Sequence, residues 1–217
     1  MKKIELYKIF LLIGSFITLL IYLPSFSLPK EYIDKNIYNY EIGYNINTHE
    51  SKKDYTINEK EIIPIEFIKN QIDTKSNSYS FADNTLEIKR EGTYMLSGTL
   101  EEGNISVNLE DKNEGVVKLV LNNLSITSSK GSTLSISNTT KTIIILQEDS
   151  ENHLNYNGIE KNNDKQASAI LSRDNLTLQG NGHLEINSLN GKGINSRDGL
   201  IITGGDIKIE STDVAID

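Results

Sequence analysis

Cysteine and tryptophan are both absent from the 217 residues. Without cysteine the chain has no disulfide, no thiol nucleophile, no thiolate zinc site and no lipid attachment at an N-terminal cysteine. Without tryptophan it lacks the largest platform on which a neutral sugar ring stacks, and only Phe81, Tyr94 and Tyr156 lie in or beside its patterned part. Basic residues are in deficit too: 22 Lys and Arg stand against 30 Asp and Glu, a formal charge of −8. Nucleic acid is thereby disfavoured as a partner, because its affinity comes largely from Lys and Arg neutralising phosphates. His49, His153 and His183 are scattered, with no second ligand at metal-binding spacing and no serine elbow nearby. The adjacent acids Glu101-Glu102 and Glu148-Asp149 point to opposite faces if they lie on strands, which makes them poor acid/base couples.

The apolar run from Ile9 to Leu23 follows Lys2, Lys3 and Lys8 and is about fifteen residues long, short of the roughly twenty of a full bilayer span. Residues 1–27 therefore read as a signal peptide with cleavage after Ser27, or as an uncleaved anchor. Either way the remainder is expected to be secreted or held at the cell surface, with membrane contact only through this segment. Residues 28–80 scatter Tyr32, Tyr38, Tyr40, Tyr44 and Tyr55 among Asn, Lys and Glu and read as a polar tether. Within it, Ile62 to Ile68 suggest a strand that Pro64 confines to an edge.

From about residue 81 the chain becomes patterned and then copies itself. Ser172-Arg173-Asp174-Asn175-Leu176-Thr177-Leu178 returns as Ser196-Arg197-Asp198-Gly199-Leu200-Ile201-Ile202, and Leu184-Glu185-Ile186 returns as Ile207-Lys208-Ile209. The short apolar position moves from Ile170 to Ile194 to Ile216, and Leu119 and Leu121 map onto Ile143 and Ile145. Three short alternating segments per roughly 22 to 24 residues, separated by Gly, Asn, Asp and Ser, cannot bury an apolar face alone but can when stacked. The expected fold is all-β, a right-handed parallel β-helix solenoid over residues 81–217. The polar stretch from Gln147 to Gln166 reads as a loop inserted on one face.

Three stretches carry a resemblance: Gly92-Thr93-Tyr94-Met95-Leu96-Ser97-Gly98-Thr99-Leu100, Lys118-Leu119-Val120-Leu121-Asn122-Asn123-Leu124-Ser125-Ile126 and Ala169-Ile170-Leu171-Ser172-Arg173-Asp174-Asn175-Leu176-Thr177-Leu178-Gln179-Gly180. They resemble the bacterial secreted carbohydrate-binding β-helix family, formerly a domain of unknown function and similar in fold to calcium-dependent pectate lyases. The resemblance implies bound calcium and affinity for acidic plant polysaccharide such as pectin or polygalacturonate, with cellulose as a further ligand. It also implies further turns of chain beyond Asp217, so a missing C-terminal cap and an open edge able to pair with another chain are expected.

Departures from the family pattern bear on chemistry. Its corner motif resembles Ser-Lys-Asp-Asp-Leu, where this chain has Arg173 and Arg197. A lyase needs a base to remove the proton α to the uronate carboxylate, and arginine stays protonated. No catalytic residue is therefore assigned, and a calcium-dependent lyase and a structural, adhesin-like solenoid stand as alternatives to a non-catalytic binder. Arg173 and Arg197 are the candidate ligand-binding residues, since stacked guanidinium groups offer paired donors to glycan carboxylates. The alternative is surface pairing with Asp174, Asp198 or Glu185. Asp174 and Asp198, joined by Asp213 and Asp217, are the candidate calcium ligands, because a hard cation takes six to eight oxygens. The alternative for Asp174 and Asp198 is turn formation through backbone hydrogen bonds.

Overall fold

Alternation of apolar and polar residues decides which side chains turn inward along most of this chain. The computed structural model describes residues 48–73, 76–110, 115–158 and 167–217. The leader at 1–27 and Tyr32, Tyr38, Tyr40 and Tyr44 lie outside the described residues. Fifteen strands are described: β1 (Ile62–Phe67), β2 (Tyr79–Ala82), β3 (Thr85–Ile88), β4 (Gly92–Glu101), β5 (Asn104–Asn108), β6 (Val116–Ser128), β7 (Leu134–Ser137), β8 (Lys141–Leu146), β9 (Glu151–Tyr156), β10 (Ser168–Ser172), β11 (Asn175–Gly180), β12 (His183–Ser188), β13 (Lys192–Ser196), β14 (Leu200–Ile202) and β15 (Asp206–Ser211). In β12, Leu184 and Ile186 are buried while His183, Glu185 and Asn187 are half-exposed, the two-residue period of a strand with one face on a core. Fully buried side chains such as Leu86, Tyr94, Leu119, Ile126, Leu178 and Ile186 form one continuous core.

Two sheets enclose that core. The larger has nine strands, all parallel, and forks at β6. The first half of β6 pairs with β8, which leads on to β11 and β14; the second half pairs with β9, which leads to β12 and β15. We call these the first and second limbs of a parallel half-barrel. The fork is built into the backbone at Asn123, whose φ of 57° turns β6 midway; Asn tolerates this left-handed region better than most residues. β4, paired alongside, turns at Gly98, where φ is 84° and the register shifts. An added Cβ there would stand 2.3 Å from the Phe67 carbonyl oxygen, so no other residue fits. The smaller sheet has six strands in the order β13-β10-β7-β5-β3-β2 and is mixed, since β2 and β3 pair antiparallel.

This corrects the expected right-handed β-helix solenoid. The regular step holds only at the end of the chain, where Ser172 pairs with Ser196, Leu176 with Leu200, Leu184 with Ile207 and Ile194 with Ile216. Earlier the step is irregular, 19 residues between Leu86 and Ile105 but 36 between Leu134 and Ile170. β4 and β6 run 10 and 13 residues through what an even solenoid would make corners. The pairing read for the middle of the chain is also one residue out: Leu119 pairs with Ile144 and Leu121 with Leu146. A one-residue slip reverses the face of every side chain. Ile143 and Ile145 therefore leave the main core and join Val120 in a second apolar cluster, against which Ile57, Met95 and Val116 pack.

Two further expectations change. Within the stretch read as a polar tether, the expected edge strand forms, β1 pairing with β4 and Pro64 lying opposite Met95, but more of the stretch is packed than that strand. Upstream, residues 48–57, with a 3-10 turn at Lys52–Tyr55, lie on the outer face of the first limb. The inserted loop at 147–166 contains strand β9, whose Leu154 and Tyr156 are buried. Asn152 fixes that strand from inside: its Oδ1 accepts from the Leu124 N–H at 3.0 Å, and its Nδ2 donates to Ser150 Oγ and the His183 carbonyl. A fully buried amide that finds such partners holds its strand in one register.

Candidate functional site

The corner where the smaller sheet passes into the first limb carries the repeated Ser-Arg-Asp motif. The Arg173 N–H donates to the Ile136 carbonyl at 3.0 Å and the Arg197 N–H to the Ser172 carbonyl at 2.9 Å, so the main chain holds the two arginines one strand apart. Neighbouring strands lie about 4.8 Å from each other. Both arginines are exposed, and among the described residues no carboxylate lies within ion-pair reach of either guanidinium. Two of the acids expected to neutralise them are engaged elsewhere. Glu185 receives Lys208 at 2.8 Å and faces His153 at 3.3 Å. Asp174 accepts from the Thr139 N–H at 2.9 Å and from its hydroxyl at 3.4 Å, closing the preceding turn. Asn175 continues this seam, receiving the Gly199 N–H at 3.3 Å.

The outer face of the first limb borders this corner, because Asn175 pairs with Lys141. Lys141 is 6% exposed. Its ammonium donates to Asp54 Oδ2 at 2.6 Å and to the His49 carbonyl. Lys118, one strand over, donates to the carbonyls of Lys53 and Thr56. Burial would raise the Asp54 pKa, but hydrogen bonds from Lys141 and Ser51 outweigh it and hold the carboxyl below its ordinary value. Burial, reinforced by the Lys141 charge, lowers the pKa of His49, whose Nε2 lies 3.0 Å from Thr177 Oγ1.

Among the described residues nothing covers the second limb, and its outer face is polar. Ser125, His153, Glu185 and Lys208 align across four strands, and beside them Thr127, Asn155, Asn187 and Glu210 do the same. Asn187 Nδ2 donates to Asn155 Oδ1 at 3.1 Å, and His183 Nδ1 lies 2.9 Å from Asp206 Oδ2. Lys208 also meets Glu210 at 2.9 Å, and its two carboxylate partners raise its pKa. Two of the three histidines that look scattered in sequence, His153 and His183, thus share one face, while His49 lies on the first limb. The signal was the alternation of Glu151, His153 and Asn155 with Asn152, Leu154 and Tyr156, hidden by reading that stretch as a loop.

Residues 82–217 match the carbohydrate-binding domain-containing protein family. The chain belongs to that family. A curated relative of the same description from Acetivibrio thermocellus is 32% identical over 136 residues, covering 61% of this chain and 47% of the relative. The chain thus spans about half the length of that relative. The structure of the polysaccharide lyase-like protein from C. thermocellum, a gadolinium derivative, aligns with a TM-score of 0.61 at 30% identity, over 68% of this chain and 61% of the other.

Calcium, which resemblance to this family suggested, requires gathered oxygens. Asp174 and Asp198 occupy matching corners, but the Asp174 carboxylate is engaged by Thr139. The Asp213 main chain bonds to Gly191 at the other end of β13. The Asp217 carboxylate is paired with Lys192. Among the described residues no group of three or more His, Asp or Glu side chains is placed to hold a metal ion. The four acids as placed do not fit a calcium site.

Proposed function

We propose that this protein is a non-catalytic polysaccharide-binding protein that engages acidic glycans, of the pectin or polygalacturonate class, through Arg173 and Arg197. What carries this reading is the pair of exposed guanidinium groups, held one strand apart by the main chain and without a carboxylate partner among the described residues. Guanidinium offers forked donors that match a carboxylate, and such charge-assisted bonds are stronger than neutral ones. Family membership supports carbohydrate as the ligand class, and the deficit of aromatic platforms favours an ionic ligand over a neutral one. The lysine-flanked apolar leader supports a site of action outside the cytoplasm.

Retention of the full chain on immobilised polygalacturonate tests this. Binding should fall roughly ten- to hundredfold for Arg173→Ala or Arg197→Ala, as expected for losing a hydrogen bond to a charged group, and should be unchanged by chelator. Full retention by the double arginine variant sinks the proposal. The structural neighbour called polysaccharide lyase-like makes elimination the second reading. Release of unsaturated product, followed by its ultraviolet absorbance, would establish that reading instead.

A further inference from the structure

Residues 48–57 form a strap over the first limb, and the way it is held is unusual for a structural cover. Its buried residue is the charged Asp54, while Tyr55 is 50% exposed and Ile57 only partly buried. The contacts that fix it are polar and come from one face. Lys141 on β8 takes the Asp54 carboxylate, Lys118 on β6 takes two strap carbonyls, and Gln179 on β11 donates its Nε2 to the Asp54 carbonyl at 3.0 Å. Three neighbouring strands thus each contribute a donor to a short segment, turned at Lys52–Tyr55, that bears a carboxylate.

The fit is also incomplete. Gln179 is 7% exposed, and its Oε1 is buried without a hydrogen-bond partner. Turning the amide over would only set that oxygen against the Asp54 carbonyl. The strap's main chain leaves this acceptor unfilled; a sugar hydroxyl, which donates as well as accepts, can fill it. The face is moreover continuous with the arginine corner, since Arg173 lies two residues before Asn175 and Asn175 pairs with Lys141.

We propose that the strap is an internal stand-in for ligand: the outer face of the first limb is a second carboxylate-binding surface, and an acidic glycan seated at Arg173 and Arg197 extends onto it by displacing residues 48–57. This rests on the corner binding acidic glycans. Lys141 exchanges the Asp54 carboxylate for a uronate carboxylate, Lys118 exchanges carbonyls for ring and hydroxyl oxygens, and Gln179 gains a donor for Oε1. Because the strap competes with the glycan, its docked state lowers the apparent affinity by the fraction of molecules in which it is bound down.

Hydrogen exchange of the full chain, with and without saturating polygalacturonate oligomer, is the test. Faster exchange at 48–57 on binding is expected, and unchanged or slower exchange there overturns the proposal. As a second measurement, Ile57→Ser removes the strap's apolar foothold without adding a charge beside Lys118. It should bind the oligomer about tenfold more tightly than the natural chain, and equal or weaker affinity in a folded variant counts against displacement. If the arginine variants lose binding while the strap stays protected and Ile57→Ser changes nothing, this inference fails alone. If the natural chain does not bind polygalacturonate at all, both readings fail.

Discussion

The two limbs of the half-barrel start from the same strand and end in opposite chemistry. Along the first, the outward residues of β8 are Lys141, Ile143 and Ile145, all buried beneath cover. Along the second, the outward residues of β9 and β12 are Glu151, His153, Asn155, His183, Glu185 and Asn187, all reached by solvent. Both limbs bury the same kind of inward face, with Ile144 and Leu178 matched by Leu154 and Ile186. The fold is thus indifferent to what the outer face carries. Outer residues report function and covering segments, and inner residues report the core.

Breaking the Lys141–Asp54 pair should have the largest effect on the covered limb. Its side chains are 8% and 4% exposed, and removing one partner from a buried pair leaves an uncompensated charge at a cost of about 3 to 5 kcal/mol. Asp54→Ala should therefore strip hydrogen-exchange protection from residues 48–57. The double variant Asp54→Ala/Lys141→Met should recover most of it, because an apolar replacement of both partners is often tolerated. If the single variant keeps the strap protected, the ion pair does not hold the cover.

Acidification should loosen the same limb in two stages. His49 has a folded-state pKa below its ordinary value of 6.5. Between those two values the released strap binds a proton that the docked strap does not, so docking weakens as pH falls below about 6.5. Asp54 is likewise depressed from 3.8, so its contribution is complete above that value and is lost as pH falls through the folded pKa. Protection at 48–57 measured down the pH scale should show both steps, and His49→Gln should abolish the first alone.

How far the sequence disclosed this depended on which signal carried each element. The last turn of chain was legible because the motif around Arg173 and Arg197 is nearly duplicated, and the pairing of Ser172 with Ser196 and Leu176 with Leu200 follows it. The middle was not. β8 reads Lys-Thr-Ile-Ile-Ile-Leu, apolar on both faces, so nothing in the run itself distinguishes pairing with Ile143 from pairing with Ile144. Only the strap, which needs Ile143 outside, resolves it. That strap was hidden in turn because Asp54 and Lys141 lie 87 positions apart, and a polar segment held by a distant lysine looks like a linker. The half-barrel is not legible because Asn122-Asn123 reads as a turn signal in the middle of β6, where the chain bends but does not break. For the carboxylates, spacing suggested neighbours but could not show that Thr139 and Lys192 occupy two of them.

A milder change sharpens the contrast. Ile143→Val removes one methylene from a fully buried position under the strap and should cost about 1 kcal/mol in urea denaturation. A loss near zero would mean that the second apolar cluster relaxes freely and adds little to the hold on the cover.

The smallest effect belongs to the open limb. Glu185 joins His153 and Lys208 in a surface network, and hydrogen bonding from Lys208 lowers its pKa first among the causes. Water screens such exposed charges, and salt screens them further. Glu185→Gln should leave the melting temperature within experimental scatter at any ionic strength. A drop as large as that of Asp54→Ala would mean that the second limb is clamped by its surface charges as firmly as the first is by its strap, and the distinction between a covered, structural face and an open, ligand-accessible one would no longer hold.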